Sequence, residues 1–363
     1  MPQITAGSLT AFFLFDVAEA IDLALLQKVI GASAAEARFV PKSGAPSYFQ
    51  YAVPPLVVDG AALGVPEVDG FSARFKFFDY GVVSLALTRP FSGDWSALVA
   101  QAQRYIENEV LERQAEAAVR AAVQKLESPI AAVRSGWLSE DYLVVSVTTL
   151  DPHITAEELL AQRSAEIALL VRGEQHALSP QEQDDILRNR LSYLADDLVV
   201  PTWNAAFVYD SEAGAQAALE IFEFANSQLL EFRYYDELLE RELMRIYAQL
   251  QKRQRFISIA GRGYVKATQQ LHALFIDVNE ITDRTQNALK MIGDIYAARL
   301  FQLMAARLGV GLWKASVEDK LETLDDIYRF AVEQVAIARG QLLELTIVLI
   351  LVFELVLFFA GIM

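Results

Sequence analysis

Cysteine is absent from the 363 residues. That excludes disulfides, thiol catalysis and zinc sites built on sulfur ligands. Histidine is scarce: His153, His176 and His272 are the only three, and none has a partner at metal spacing. Positive charge is short as well. Against 47 Asp and Glu stand 31 Lys and Arg, a net charge of −16. Such a field repels polyanions, so direct nucleic-acid binding is not expected. No Gly-Lys-Ser/Thr phosphate loop exists, and neither Gly261-Arg-Gly263 nor Gly309-Val-Gly311 follows a strand. Met1 to Phe15 lacks a basic n-region and a long apolar core, so no secretion or import signal is expected. No nucleophile and base stand at a recognisable spacing. No catalytic residue, metal or cofactor is therefore expected.

What is present divides by period. Ala73-Arg-Phe-Lys-Phe77 alternates as a half-buried strand does, and Gly81 to Thr88 follows it as the second arm of a hairpin. Thr10–Asp16, Tyr142–Thr149 and Asn204–Tyr209 are further strand candidates. Helices are expected over Ala18–Ile30, over Ser92–Leu126 as one long element, from Thr155 to about Val171, and from Ser179-Pro180. Residues 1–210 thus read as an α+β domain with an antiparallel or mixed sheet. Asp151, His153, Glu157 and Glu158 gather where a strand meets a helix. They could hold a cation, or the acids could simply sit at a helix N-terminus whose dipole favours them.

After Asp210 only helical periodicity remains. Phe222, Ala225, Leu229, Phe232, Asp236, Leu239, Leu243, Ile246 and Leu250 keep steps of three and four; so do Val317, Leu321, Leu324, Tyr328, Ala331, Val335, Ala338 and Leu342. Those steps mark the seam of a supercoiled helix pair. Residues 211–341 therefore read as an all-α antiparallel, coiled-coil-like bundle and stalk. Asp236 interrupts the first seam, either fixing register or pairing on the surface with Arg233 or Arg241. From Leu342 to Met363 only Glu344, Thr346 and Glu354 are polar. At ~1.5 Å per residue this stretch matches the ~30 Å hydrocarbon core of a bilayer, and it reads as one C-terminal transmembrane helix, a tail anchor. Arg329 and Arg339 before it put the bulk of the chain on the cytoplasmic side of the cytoplasmic (inner) membrane.

Two groups stand out as candidate sites. Glu344 and Glu354 are acids in an apolar run, and Glu354 suits a contact shared between copies of the chain. Lys252, Arg253, Arg255, Arg262 and Lys266 form a basic cluster with no acid among them. It is a solvated turn between helices or a grip on phosphate or anionic lipid headgroups.

Some short motifs resemble a known family. Phe77-Phe-Asp-Tyr-Gly-Val-Val83, Ala225-Asn-Ser-Gln-Leu-Leu230, Trp313, Lys320 to Tyr328 and Leu343-Glu344 are similar to the pattern of the Required for Meiotic nuclear Division (YagE-like) family. That resemblance implies a membrane-anchored protein without assigned catalysis, whose mitochondrial relatives support translation beside ribosomes. The expected function is a tail-anchored, non-enzymatic scaffold. Its expected partners are the lipid bilayer, further copies of itself, and a cytoplasmic or ribosome-associated protein. The alternatives are an enzyme with an acidic or metal site in the α+β domain, and a channel-like oligomer using Glu354.

Overall fold

The computed structural model describes residues 2–36, 53–253, 276 and 295–359. They fall into two compact units, Met1–Tyr234 with Ile281–Trp313, and Tyr235–Glu280 with Lys314–Met363.

The first unit is built on a mixed sheet of nine strands among the described residues. Its centre is β1 (Gln3–Asp16). On one side β1 pairs antiparallel with β7 (Val82–Gly93), followed outward by β6 (Phe71–Phe77), β4 (Leu56–Asp59) and β3 (Ala34–Glu36). On the other it pairs antiparallel with β9 (Ser139–Asp151). Beyond β9, β11 (Ala205–Tyr209) runs parallel to it, and β10 (Leu198–Pro201) closes that edge. The two-residue β5 (Glu67–Val68) joins β6. A small separate pair joins β2 (Ala18–Ile21) to β8 (Ile130–Val133).

The central strands are apolar on both sides because both faces of the sheet are covered. Leu9, Ala11, Phe13 and Phe15 of β1 enter one core with Phe75, Leu85 and Val145. Over that face lie α1 (Leu23–Ile30), α2 (Trp95–Tyr105), α3 (Glu109–Lys125), α4 (Ala156–Arg172) and α5 (Pro180–Arg188), which contribute Leu26, Leu98, Leu111, Leu159 and Ile186. The other face meets α6 (Glu212–Arg253), where the Phe222 ring packs on Tyr142 at 5.8 Å between centroids. Helix α7 (Ile295–Arg307) adds Phe301 against Phe224 of α6.

Several expected elements change. The helix expected over Ser92–Leu126 is two helices. The chain turns at Glu107, with φ 52°, and the Asn108 carboxamide oxygen then accepts from the Val110 and Leu111 amides to start α3. The helix expected from Ala18 starts at Leu23, because Ala18–Ile21 pairs with β8 and Asp22 caps. The front of the first 3-4 stripe, Phe222 to Phe232, is buried in the sheet-bearing unit rather than in a helix pair. Its Asp236 accepts from Ser316 and pairs with Lys320 at 3.0 Å, while Arg233 pairs instead with Glu140.

The turn between β6 and β7 depends on one glycine. Gly81 has φ +91°, and a Cβ there would lie 1.9 Å from the Ala18 carbonyl oxygen. Gly81→Ala should lower stability by about 2 kcal/mol in urea titration, from backbone strain at that φ and the shift needed to relieve the clash.

The transmembrane tail anchor expected over 342–363 is corrected. Helix α8 (Val310–Phe359) runs through most of this stretch, yet among the described residues no helix is long and apolar enough to cross a membrane. The apolar stretch is interrupted by Glu354. It also contains an exposed Glu344. The single-pass, tail-anchored reading falls with it. So does the cytoplasmic (inner) membrane location, which rested on basic residues flanking a span.

Candidate functional site: a buried charged layer

The stretch of α6 that meets the sheet mixes apolar side chains such as Phe222 with buried polar ones. Glu220, Glu223, Asn226, Ser227, Gln228 and Glu231 are all buried there. The 3.6-residue period brings Glu220, Glu223 and Ser227 to one side of the helix. Opposite them, the alternation of β6 that sends Phe75 and Phe77 into the first core sends Lys76 the other way. Lys76 is 1% exposed. Its ammonium donates to Glu220 Oε2 at 2.7 Å and to Glu223 Oε2. Burial alone would push the Lys76 pKa down, but the charges of Glu223 and Glu220 and their hydrogen bonds outweigh it and hold it above the ordinary value. Beside this trio the Tyr80 hydroxyl lies 2.7 Å from Ser227 Oγ. Ser84 faces Lys76 across the β6–β7 register, and its hydroxyl has no hydrogen-bond partner among the described residues.

A second buried ion pair lies at the end of β1. Asp16 is fully buried and accepts from Arg134 Nε at 2.8 Å. The Arg134 guanidinium stacks 3.5 Å over the Tyr234 ring of α6 and also donates to its hydroxyl. Burial raises the Asp16 pKa to about 6 despite Arg134, which pulls it back. Along the start of β9, Asp141 is also raised to about 6, by burial and by the charges of Glu112 and Glu107. Those neighbours are themselves held, Glu112 by Ser139 Oγ at 2.9 Å and Glu107 by Asn204 Nδ2 at 3.0 Å.

The residues singled out by sequence lie elsewhere. Asp151 to Glu158 does not converge on a cation. Glu158 closes a capping box with Thr155, and His153 lies 3.3 Å from the Tyr209 hydroxyl. Among the described residues no three His, Asp or Glu stand together to hold a metal. Glu344 is exposed on α8; Glu354 lies on the same helix, its side chain outside the described set. Lys252 and Arg253 end α6 with side chains also outside that set, as Arg255, Arg262 and Lys266 are entirely. Sequence reasoning missed the layer itself. The one signal was Lys76 between the phenylalanines of an aromatic strand; Glu220 and Glu223 lie off the apolar 3-4 stripe.

Residues 6–216, more than half of the chain, match the model of the family described as Uncharacterized protein MJ0711, N-terminal domain. The chain belongs to that family. A relative in Methanocaldococcus jannaschii, Uncharacterized protein MJ0711, is 24% identical over 206 residues, covering 57% of this chain and 62% of the relative. The match thus spans less than two thirds of the relative's length. No solved structure matches. The MJ0711 N-terminal domain displaces the YagE-like resemblance. The motifs behind that resemblance are one to nine residues of common types, and the aromatic one, Phe77 to Val83, is accounted for by a strand end and its turn. The family match takes in β1 through the first turn of α6, so it includes Lys76 and stops just short of Glu220.

Proposed function

We propose that this MJ0711-type chain is a non-enzymatic scaffold that holds another protein and works as a homo-oligomer. One observation carries the reading. The groups best suited to proton transfer or nucleophilic attack, Lys76, Glu220 and Glu223, are buried and pair with one another instead of facing a cleft. A surface depression of about 370 Å³ exists elsewhere, over Leu160, Ser164, Asp184, Leu187, Arg188 and Arg190. Its arginines are engaged locally, Arg188 with Asp185 at 3.1 Å and Arg190 with the Leu187 carbonyl. The expectation of a ribosome-associated partner rested on the YagE-like resemblance and has no other support.

The test replaces the trio with an uncharged set, Lys76→Met with Glu220→Gln and Glu223→Gln, in the full chain. Expressed in place of the native protein, the folded triple variant should keep the native mass of the complex recovered after gentle lysis, and the growth of the host. A folded variant that keeps the complex but loses growth would mean that the trio performs chemistry.

A further inference from the structure

The depression over α4 and α5 sets charges of both signs on an apolar floor. Leu187 belongs to the core and Leu160 packs against it, so the floor continues the interior. Arg190 spends one amino group on the Leu187 carbonyl at 2.7 Å and pairs with no carboxylate among the described residues. Arg188 meets Asp185 at 3.1 Å, in a pair so exposed that it holds weakly. Asp184 and the Ser164 hydroxyl, over the same depression, make no hydrogen bond or ion pair among the described residues. Basic residues suit the last turn of a helix. That accounts for the two arginines but not for an unpaired acid one turn before Arg188.

A volume of about 370 Å³ lies at the small end of ligand sites. An anion alone would be repelled by Asp184, and a cation alone by Arg188 and Arg190. An uncharged apolar molecule would cover the charges without replacing their water. A small zwitterion meets every group. Asp184 and Arg188 stand at i and i+4 on α5, so their Cβ atoms lie about 6 Å apart, within reach of the two ends of one small molecule.

The geometry points to a binding site for a free amino acid with an apolar side chain. Arg190 and Arg188 take its carboxylate, with the Ser164 hydroxyl as a further donor. Asp184 takes its ammonium, and its side chain lies on Leu160 and Leu187. The site is separate from the buried layer and independent of the scaffold reading.

Ligand-observed NMR titration of the full chain with L-leucine tests this. Isocaproate and isoamylamine serve beside it, the same skeleton without the ammonium and without the carboxylate. Leucine should bind about tenfold tighter than either analogue, or better. Arg190→Gln should weaken leucine by about tenfold and leave isoamylamine unchanged. Asp184→Asn should weaken leucine to the same degree and leave isocaproate unchanged. Both side chains are exposed, so both variants should melt with wild type. Leucine binding that is absent at roughly 10 mM, or that neither variant changes, would overturn the site. Either analogue binding as tightly as leucine would overturn the assignment to a zwitterion.

Discussion

Lys76→Met alone should destabilise the fold by about 3–5 kcal/mol at neutral pH, the cost of leaving buried carboxylates without their cation. Methionine fills nearly the same volume, so the loss is electrostatic. Glu220 and Glu223 would remain between sheet and helix, with Gln216 at 3.4 Å from Glu220 as a weak substitute. Two features mark the mechanism. The deficit should shrink when Glu220→Gln and Glu223→Gln are added, since replacing all members of a buried network is far milder than removing one. Amide exchange should also quicken first over Glu220–Glu231, where α6 holds its buried polar residues. Urea titrations of the single and triple variants at pH 7.5 check the first. Equal deficits in both variants would show that Lys76 acts by packing and not by charge.

The outline of the sheet was legible because its strands obey simple alternation. Ala73 to Phe77 and Gly81 to Thr88 signalled β6 and β7 without help from tertiary context. The break between α2 and α3 was not, because a single Glu at positive φ followed by an Asn cap leaves the helical period on either side intact. β8 and β10 are four residues each and carry too little pattern to register alone. The charged layer was hidden for a different reason. Lys76 looks solvent-facing in a two-period strand, and Glu220 and Glu223 look like the wet side of a helix. Only the placement of α6 over the second sheet face makes all three interior. The C-terminal run misled through its letters: an apolar count to Met363 suggested a span, whereas among the described residues no helix is long and apolar enough to cross a membrane.

Asp141→Asn should stabilise the protein at neutral pH by about 1–3 kcal/mol and leave it nearly unchanged at pH 4. The reason is linkage. Asp141 titrates near 6 in the folded chain and near 3.8 when unfolded, so the folded state holds its proton more tightly. Below the unfolded value both states are protonated and no penalty exists. Between about 4 and 6 the unfolded chain ionises first, and stability falls as pH rises. Above 6 both are ionised, and the full cost of a desolvated carboxylate near Glu112 and Glu107 is present, ~3 kcal/mol for a two-unit shift at ~1.4 kcal/mol per unit. Asparagine keeps the shape and removes the charge. Asp16 shares the sign and the pH window, but Asp16→Asn would leave Arg134 without its buried counter-ion, so its gain should be smaller or reversed. Unfolding free energies of wild type, Asp141→Asn and Asp16→Asn from pH 4 to 7.5 decide the matter. The gap between Asp141→Asn and wild type must open between pH 4 and 6 and then stay level; a gap independent of pH would place the effect outside the titration of Asp141.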